Sequence, residues 1–131
     1  MPISFARLQE YLDLIAQKAG ENPAAAPHKR FWSSYQSLTA NPLPNPKCNG
    51  QSIFPVKYSD PQRTTVDADG SPMYGILTNA AGYCGKDQMP PGGSFITDAG
   101  YSITLSDGST VTGAQVAQDI YDWLAAGAPN D

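Results

Sequence analysis

Apolar residues Phe5, Leu8, Leu12 and Ile15 recur at intervals of three and four, the spacing that gathers side chains on one face of an α-helix. Ser4 stands before the run as a cap and Gly20 follows Ala19 as a left-handed stop, so an amphipathic helix is predicted over Phe5 to Ala19. Within His28 to Leu38, residues Phe31, Trp32, Tyr35 and Leu38 fall on one helical face and predict a short aromatic helix. Pro42, Pro44, Pro46, Pro55 and Pro61 then forbid regular helix from Asn41 to Asp60 and favour an extended loop over the core.

Helical spacing returns at Ser71, a cap followed by a first-turn proline, with Met73, Tyr74, Ile76 and Leu77 as buried positions and Gly82 as the break. From Tyr101 to Thr112 apolar and polar residues alternate on either side of Asp107-Gly108, which predicts a hairpin with strands near Ser102 to Leu105 and Thr110 to Thr112. Thr112 precedes Gln115 by three positions, a reciprocal capping arrangement. It opens a last helix over Gly113 to Ala126, with an apolar face of Val116, Ile120, Trp123 and Leu124 and a stop at Gly127 and Pro129. That helix is expected to pack on the first.

With 131 residues, the chain has the size of one domain, 1–131, and can bury a core of its own. Its net charge is -4 and charged residues make up 15%, so no basic face is available for phosphates or an anionic membrane surface. No run of apolar residues reaches the length of a membrane span. Met1-Pro2-Ile3-Ser4 does not begin a signal peptide, so for an exported protein the expectation is a mature domain cut from a longer precursor.

Twelve prolines and twelve glycines, concentrated between Pro23 and Gly93, make the centre loop-rich, and both cysteines, Cys48 and Cys84, lie there. A disulfide between them closes a loop of roughly 37 residues and is worth on the order of 3 to 4 kcal/mol through the unfolded state. The disulfide is the expectation, and the alternative that spacing does not exclude is two buried free thiols in a reducing compartment.

The runs Ser71-Pro72-Met73-Tyr74-Gly75-Ile76-Leu77-Thr78, Cys84-Gly85-Lys86-Asp87-Gln88-Met89-Pro90-Pro91-Gly92-Gly93, and Ile120-Tyr121-Asp122-Trp123-Leu124-Ala125-Ala126-Gly127-Ala128-Pro129, in that order, resemble the second half of a bacterial cytochrome c domain. The resemblance covers Asp60 to Asp131. It implies a mainly α, cytochrome-c-like fold of about four helices with long ordered loops and one short β-hairpin before the C-terminal helix. It also implies that Met89 stands where the family has its distal haem ligand.

The Cys-x-x-Cys-His attachment sequence is absent, because Cys48 is followed by Asn49-Gly50-Gln51-Ser52 and the single histidine, His28, follows Ala25-Ala26-Pro27. Two readings follow from the resemblance. In the first, no cofactor is bound, and Phe31, Trp32, Tyr35 and Tyr74 fill the volume of the lost haem. In the second, a haem is held without thioether links by His28 and Met89, a ligand pair suited to electron transfer.

Other patterns carry less. Asp67-Ala68-Asp69-Gly70 opens like a calcium loop but lacks the later ligands, so a turn leading to a helix cap is the expectation. Ser33, Ser34 and Ser94 belong to no hydrolase signature, and no catalytic residue and no metal site is assigned. Trp32, Tyr35, Tyr58, Tyr83 and Tyr101 are candidates for a carbohydrate-stacking or protein-docking surface.

The functional expectation is a haem-free, non-enzymatic structural or binding module, a monomeric domain of a larger secreted or periplasmic protein. Its partner would be a protein or a glycan, with neither nucleic acid binding nor membrane insertion. For the Cys48–Cys84 disulfide the expected intact mass is lower by two hydrogens than the reduced formula, and thiol labelling of the unfolded, unreduced protein fails. Labelling at both cysteines excludes the bond.

Overall fold

The structure is a computed structural model and describes residues 2–20, 32–39, 56–60, 62–83, 87–90 and 93–131. Among the described residues it is mainly α, with four helices and one small antiparallel sheet: α1 (Phe5–Lys18), α2 (Tyr35–Thr39), α3 (Pro72–Thr78), β1 (Ser102–Thr104), β2 (Thr110–Thr112) and α4 (Gly113–Ala125). Among the described residues no helix is long and apolar enough to cross a membrane.

Helix α1 begins as its sequence predicts, with the Ser4 hydroxyl accepting from the Arg7 amide at 3.1 Å, and ends at Lys18 with Ala19 as its cap, followed by Gly20 with a φ of 84°. Its Leu8, Leu12 and Ile15 are buried together with Tyr11. The aromatic helix is interrupted: Trp32 is helical, Ser33 and Ser34 form a bend, and α2 begins at Tyr35, where Ser34 accepts from the Ser37 amide and Trp32 docks through its own contacts. The Gln9 side-chain amide donates to the Trp32 carbonyl at 2.8 Å, and the Trp32 indole donates to Asp13 at 2.8 Å. Gln9 and Asp13 stand four residues apart on α1 and grip this segment as a pair.

Between α2 and α3, Tyr58 and Val66 form an antiparallel bridge, closed by Ser59 N–H to Thr65 O and Asp67 N–H to Lys57 O, both 2.8 Å. The proline count of the preceding stretch hides this small hairpin from a sequence reading. Ser71 stands at the N-cap position of α3 without capping it. Its hydroxyl accepts from the Lys57 amide and donates to the Asp67 carbonyl, tying the bridge to the helix. The helix ends at Thr78, ahead of the Gly82 break.

The β1–β2 register pairs Ile103 with Val111, and Gly108 N–H closes the turn on the Leu105 carbonyl at 2.9 Å. The hairpin belongs to the core, since Ile103 and Leu105 are both buried and β1 packs against α1. At the start of α4, Thr112 accepts from the Gln115 amide as predicted, but the Gln115 side chain turns to Asp119, so only half of the reciprocal cap forms.

Helix α4 packs on α3 and β2 and meets α1 through Tyr11, whose hydroxyl donates to Asp119 at 2.6 Å. Its first residue is constrained: a Cβ on Gly113 would lie 1.9 Å from the Ile96 carbonyl oxygen. Alanine ordinarily favours a helix over glycine by about 1 kcal/mol, yet here it collides with backbone that has no rotamer to yield. We expect Gly113→Ala to destabilise the fold by about 1 to 3 kcal/mol in denaturant unfolding; a gain in stability would show that the Ile96 segment moves freely.

Candidate functional site

Of the residues that the sequence singles out for a cofactor or a covalent link, His28, Cys48 and Cys84 lie outside the described residues, as does Phe31 of the aromatic set. Met89 is described. It follows Gln88, a buried amide that donates to the Leu77 carbonyl and to the Thr97 hydroxyl, both at 2.9 Å. The Met89 amide donates to the Ile76 carbonyl at 2.9 Å. These bonds occupy the C-terminal carbonyls of α3, which would otherwise need water or a cap. The Met89 side chain is half-buried against the main apolar cluster. Gln88 therefore holds the segment in place, a role with no sequence signal beyond its position beside the methionine.

The aromatic residues divide between separate places. Phe5 meets Tyr35 edge-on with ring centroids 5.4 Å apart and lies 6.4 Å from the ring of Trp123. The Tyr35 hydroxyl donates to the Ala128 carbonyl, and the Trp123 indole donates to the Pro129 carbonyl at 3.1 Å. Tyr74 instead packs edge-on against Tyr121 of α4 at 5.3 Å, and the nearby Asp69 carboxylate raises the Tyr121 pKa. Tyr83 lies on α3 where Gly75 leaves room and donates to the Gly70 carbonyl.

Tyr101 does not belong to an exposed aromatic face. It is 6% exposed, its hydroxyl has no hydrogen-bond partner, and the Lys18 ammonium sits 5.1 Å from its ring centroid. Burial, with the Asp98 charge adding to it, pushes the phenol up to about 12. Trp32, Tyr35 and Tyr83 direct their polar ends inward as described above, whereas Tyr58 carries Arg63 over its ring at 4.9 Å.

No family model, curated protein or solved structure matches the chain.

The acidic residues serve the backbone. Asp67 accepts from the Gly70 amide and pairs with Lys57 at 3.3 Å, so the Asp67-Ala68-Asp69-Gly70 segment is a turn held by the first of its two carboxylates. Among the described residues no three His, Cys, Asp or Glu side chains group as metal ligands. Asp60 accepts from the Thr64 hydroxyl and from the Thr64 and Thr65 amides, and Asp107 accepts from Ser109 in the same manner. These bonds hold both carboxyls below the usual aspartate range.

Glu10 reaches from α1 to the hairpin tip and accepts from the Ser106 amide at 2.8 Å, with Arg7 bridging the same tip through Asp107 at 3.5 Å. The bonds from Ser106, aided by Arg7, lower the Glu10 pKa from its ordinary 4.5. A carboxyl whose folded pKa is depressed stabilises the native state above its unfolded pKa, and that contribution disappears as pH falls through the folded value. We therefore expect stability to fall as pH drops below about 4.5, with faster exchange of the Ser106 amide. In Glu10→Gln the acid-dependent loss should be smaller. An unchanged pH slope of thermal unfolding in that variant would rule out this assignment.

Proposed function

We propose that the chain is a haem-free structural or binding module with a cytochrome-c-like fold, part of a secreted or periplasmic protein and without enzymatic activity. The observation that carries the reading is the state of Met89. Its backbone is bonded to the end of α3 and its side chain is packed on the apolar cluster, a use that suits a flexible thioether filling a gap.

The order of elements also supports the fold assignment. Helix α3 precedes the Met89 segment, and the final Trp123-Leu124-Ala125-Ala126-Gly127-Ala128-Pro129 run turns back onto the start of α1, where Phe5 N–H donates to the Asp131 carbonyl at 3.1 Å. Tyr35 and Trp32, in the segment following the first helix, are committed to α1 and to the C-terminal tail by ring contact and hydrogen bonds. A Cys48–Cys84 disulfide across the central loops is part of the same proposal. The acidic side chains described above hold amides, hydroxyls and a lysine of the fold itself, which supports a binding role over catalysis.

The competing reading keeps the fold and places a non-covalent haem between His28 and Met89 as an electron-transfer centre. Visible spectroscopy separates the two. We expect protein purified from its natural source to lack a Soret band and haem added to the apoprotein to remain unbound. A Soret band whose reduced spectrum changes in Met89→Ala and His28→Ala would overturn the haem-free reading.

A further inference from the structure

Arg63 is the one described guanidinium that no carboxylate of the described residues neutralises. Arg7 lies against Glu10 and Asp107 at 3.6 and 3.5 Å, and Lys57 pairs with Asp67 at 3.3 Å. The Arg63 guanidinium instead lies 4.9 Å from the centroid of the Tyr58 ring. The side chain is exposed, in a chain whose net charge is -4.

Its backbone is unusual as well. Arg63 has a φ of 59°, a region that costs a residue with a side chain on the order of 1 kcal/mol and that glycine occupies freely. The surrounding turn enforces it: Asp60 accepts from Thr64 and Thr65, and the Arg63 amide donates to the Asp60 carbonyl at 3.1 Å. Glycine would adopt this turn conformation with less strain, so local backbone preference does not account for an arginine here.

Tyr35 stands beside the pair. Burial raises its pKa, with Tyr58 adding to the shift and the positive charge of Arg63 opposing it. The Tyr35 oxygen is already bonded to Ala128, whereas Arg63 is exposed and has no carboxylate partner among the described residues. A planar guanidinium resting on an aromatic ring has lost little freedom still to be given up on binding and offers two parallel N–H donors to a carboxylate. Arginine and tyrosine are also the residue types that anchor protein interfaces.

We propose that the Arg63–Tyr58 pair is a docking point for an acidic peptide segment of a protein partner, with a partner carboxylate on the guanidinium and the adjoining peptide against the tyrosine. This rests on the binding-module reading and names the chemistry of its partner.

The test is a nuclear magnetic resonance titration of the isotope-labelled full chain at low salt with an end-blocked hexaglutamate peptide. The expected result is saturable shifts of the Arg63 Nε–H and Tyr58 ring signals that shrink as salt is raised. In Arg63→Gly the apparent affinity should fall by about tenfold or more, while thermal stability stays level or rises because the left-handed strain is relieved.

Absence of shifts at Arg63, or equal affinity in Arg63→Gly, would overturn the proposal. So would an equal response to inorganic phosphate, which would mark a generic anion site, or concentration-dependent shifts without peptide, which would mark a second copy as the occupant. A Soret band in the haem experiment would instead remove the haem-free reading and leave the titration result unaffected, so the two failures are distinguishable.

Discussion

Closure of the chain's last residues over Trp123 is the constraint on which the rest of the structure depends. Trp123 is fully buried in α4, and its indole N–H needs an acceptor inside the protein. The acceptor is the Pro129 carbonyl, which is within reach only because the chain reverses directly after the helix. Gly127, with a φ of 97°, donates to the Leu124 carbonyl, and Ala128 donates to that of Trp123, which together form a Schellman stop. Ala128 accepts the left-handed backbone at φ 53° and is completely buried. Its carbonyl then receives the Tyr35 hydroxyl, and that of Asp131 receives the Phe5 amide. One helix stop thereby joins the first helix, the short aromatic helix and the last.

Polar side chains fasten the remaining elements. Gln9 and Asp13 grip the Trp32 segment, Glu10 and Arg7 hold the tip of the β1–β2 hairpin, and Tyr11 reaches Asp119. Helix α1 thus carries a polar partner for three separate segments along with its apolar face. In a chain with 15% charged residues, Glu10, Asp60 and Asp107 serve as acceptors for backbone amides, and those bonds lower the pKa of each carboxyl. Burial of the unpaired Tyr101 hydroxyl is the opposite case, a polar group whose desolvation the packing of its ring must offset.

Much of the local structure was legible because it depends on neighbours in sequence. The Ser4 cap, the Gly20 and Gly127 stops, the Thr112 cap and the hairpin about Asp107-Gly108 all arise from contacts within a few residues. The errors have a common origin. Ser71 looks like a cap, but its hydroxyl is recruited by Lys57 and Asp67. Gln115 looks like the second half of a reciprocal cap, but Asp119 one turn along the helix is the partner it takes. Tyr101 looks like a surface ring and is buried by α1 and the hairpin. For the candidate site, Met89 was singled out by the resemblance alone, and the Gln88 bonds that hold its segment and the Arg63–Tyr58 stack had no sequence pattern to announce them.

By itself the sequence determined the helical spacing of apolar residues, the stops and starts of the helices, the alternation that makes the hairpin, the net charge of -4, and the absence of an apolar run long enough for a membrane-spanning helix. Those properties follow from periodicity, from the conformational limits of glycine and proline, and from net charge. Only the tertiary structure decided which polar groups satisfy one another, that the hairpin belongs to the core, that Gly113 must lack a side chain beside Ile96, and that Arg63 rests on Tyr58. Each of these depends on the approach of groups distant along the chain or on a turn geometry set by several bonds at once, and spacing in a sequence carries no information about such distances.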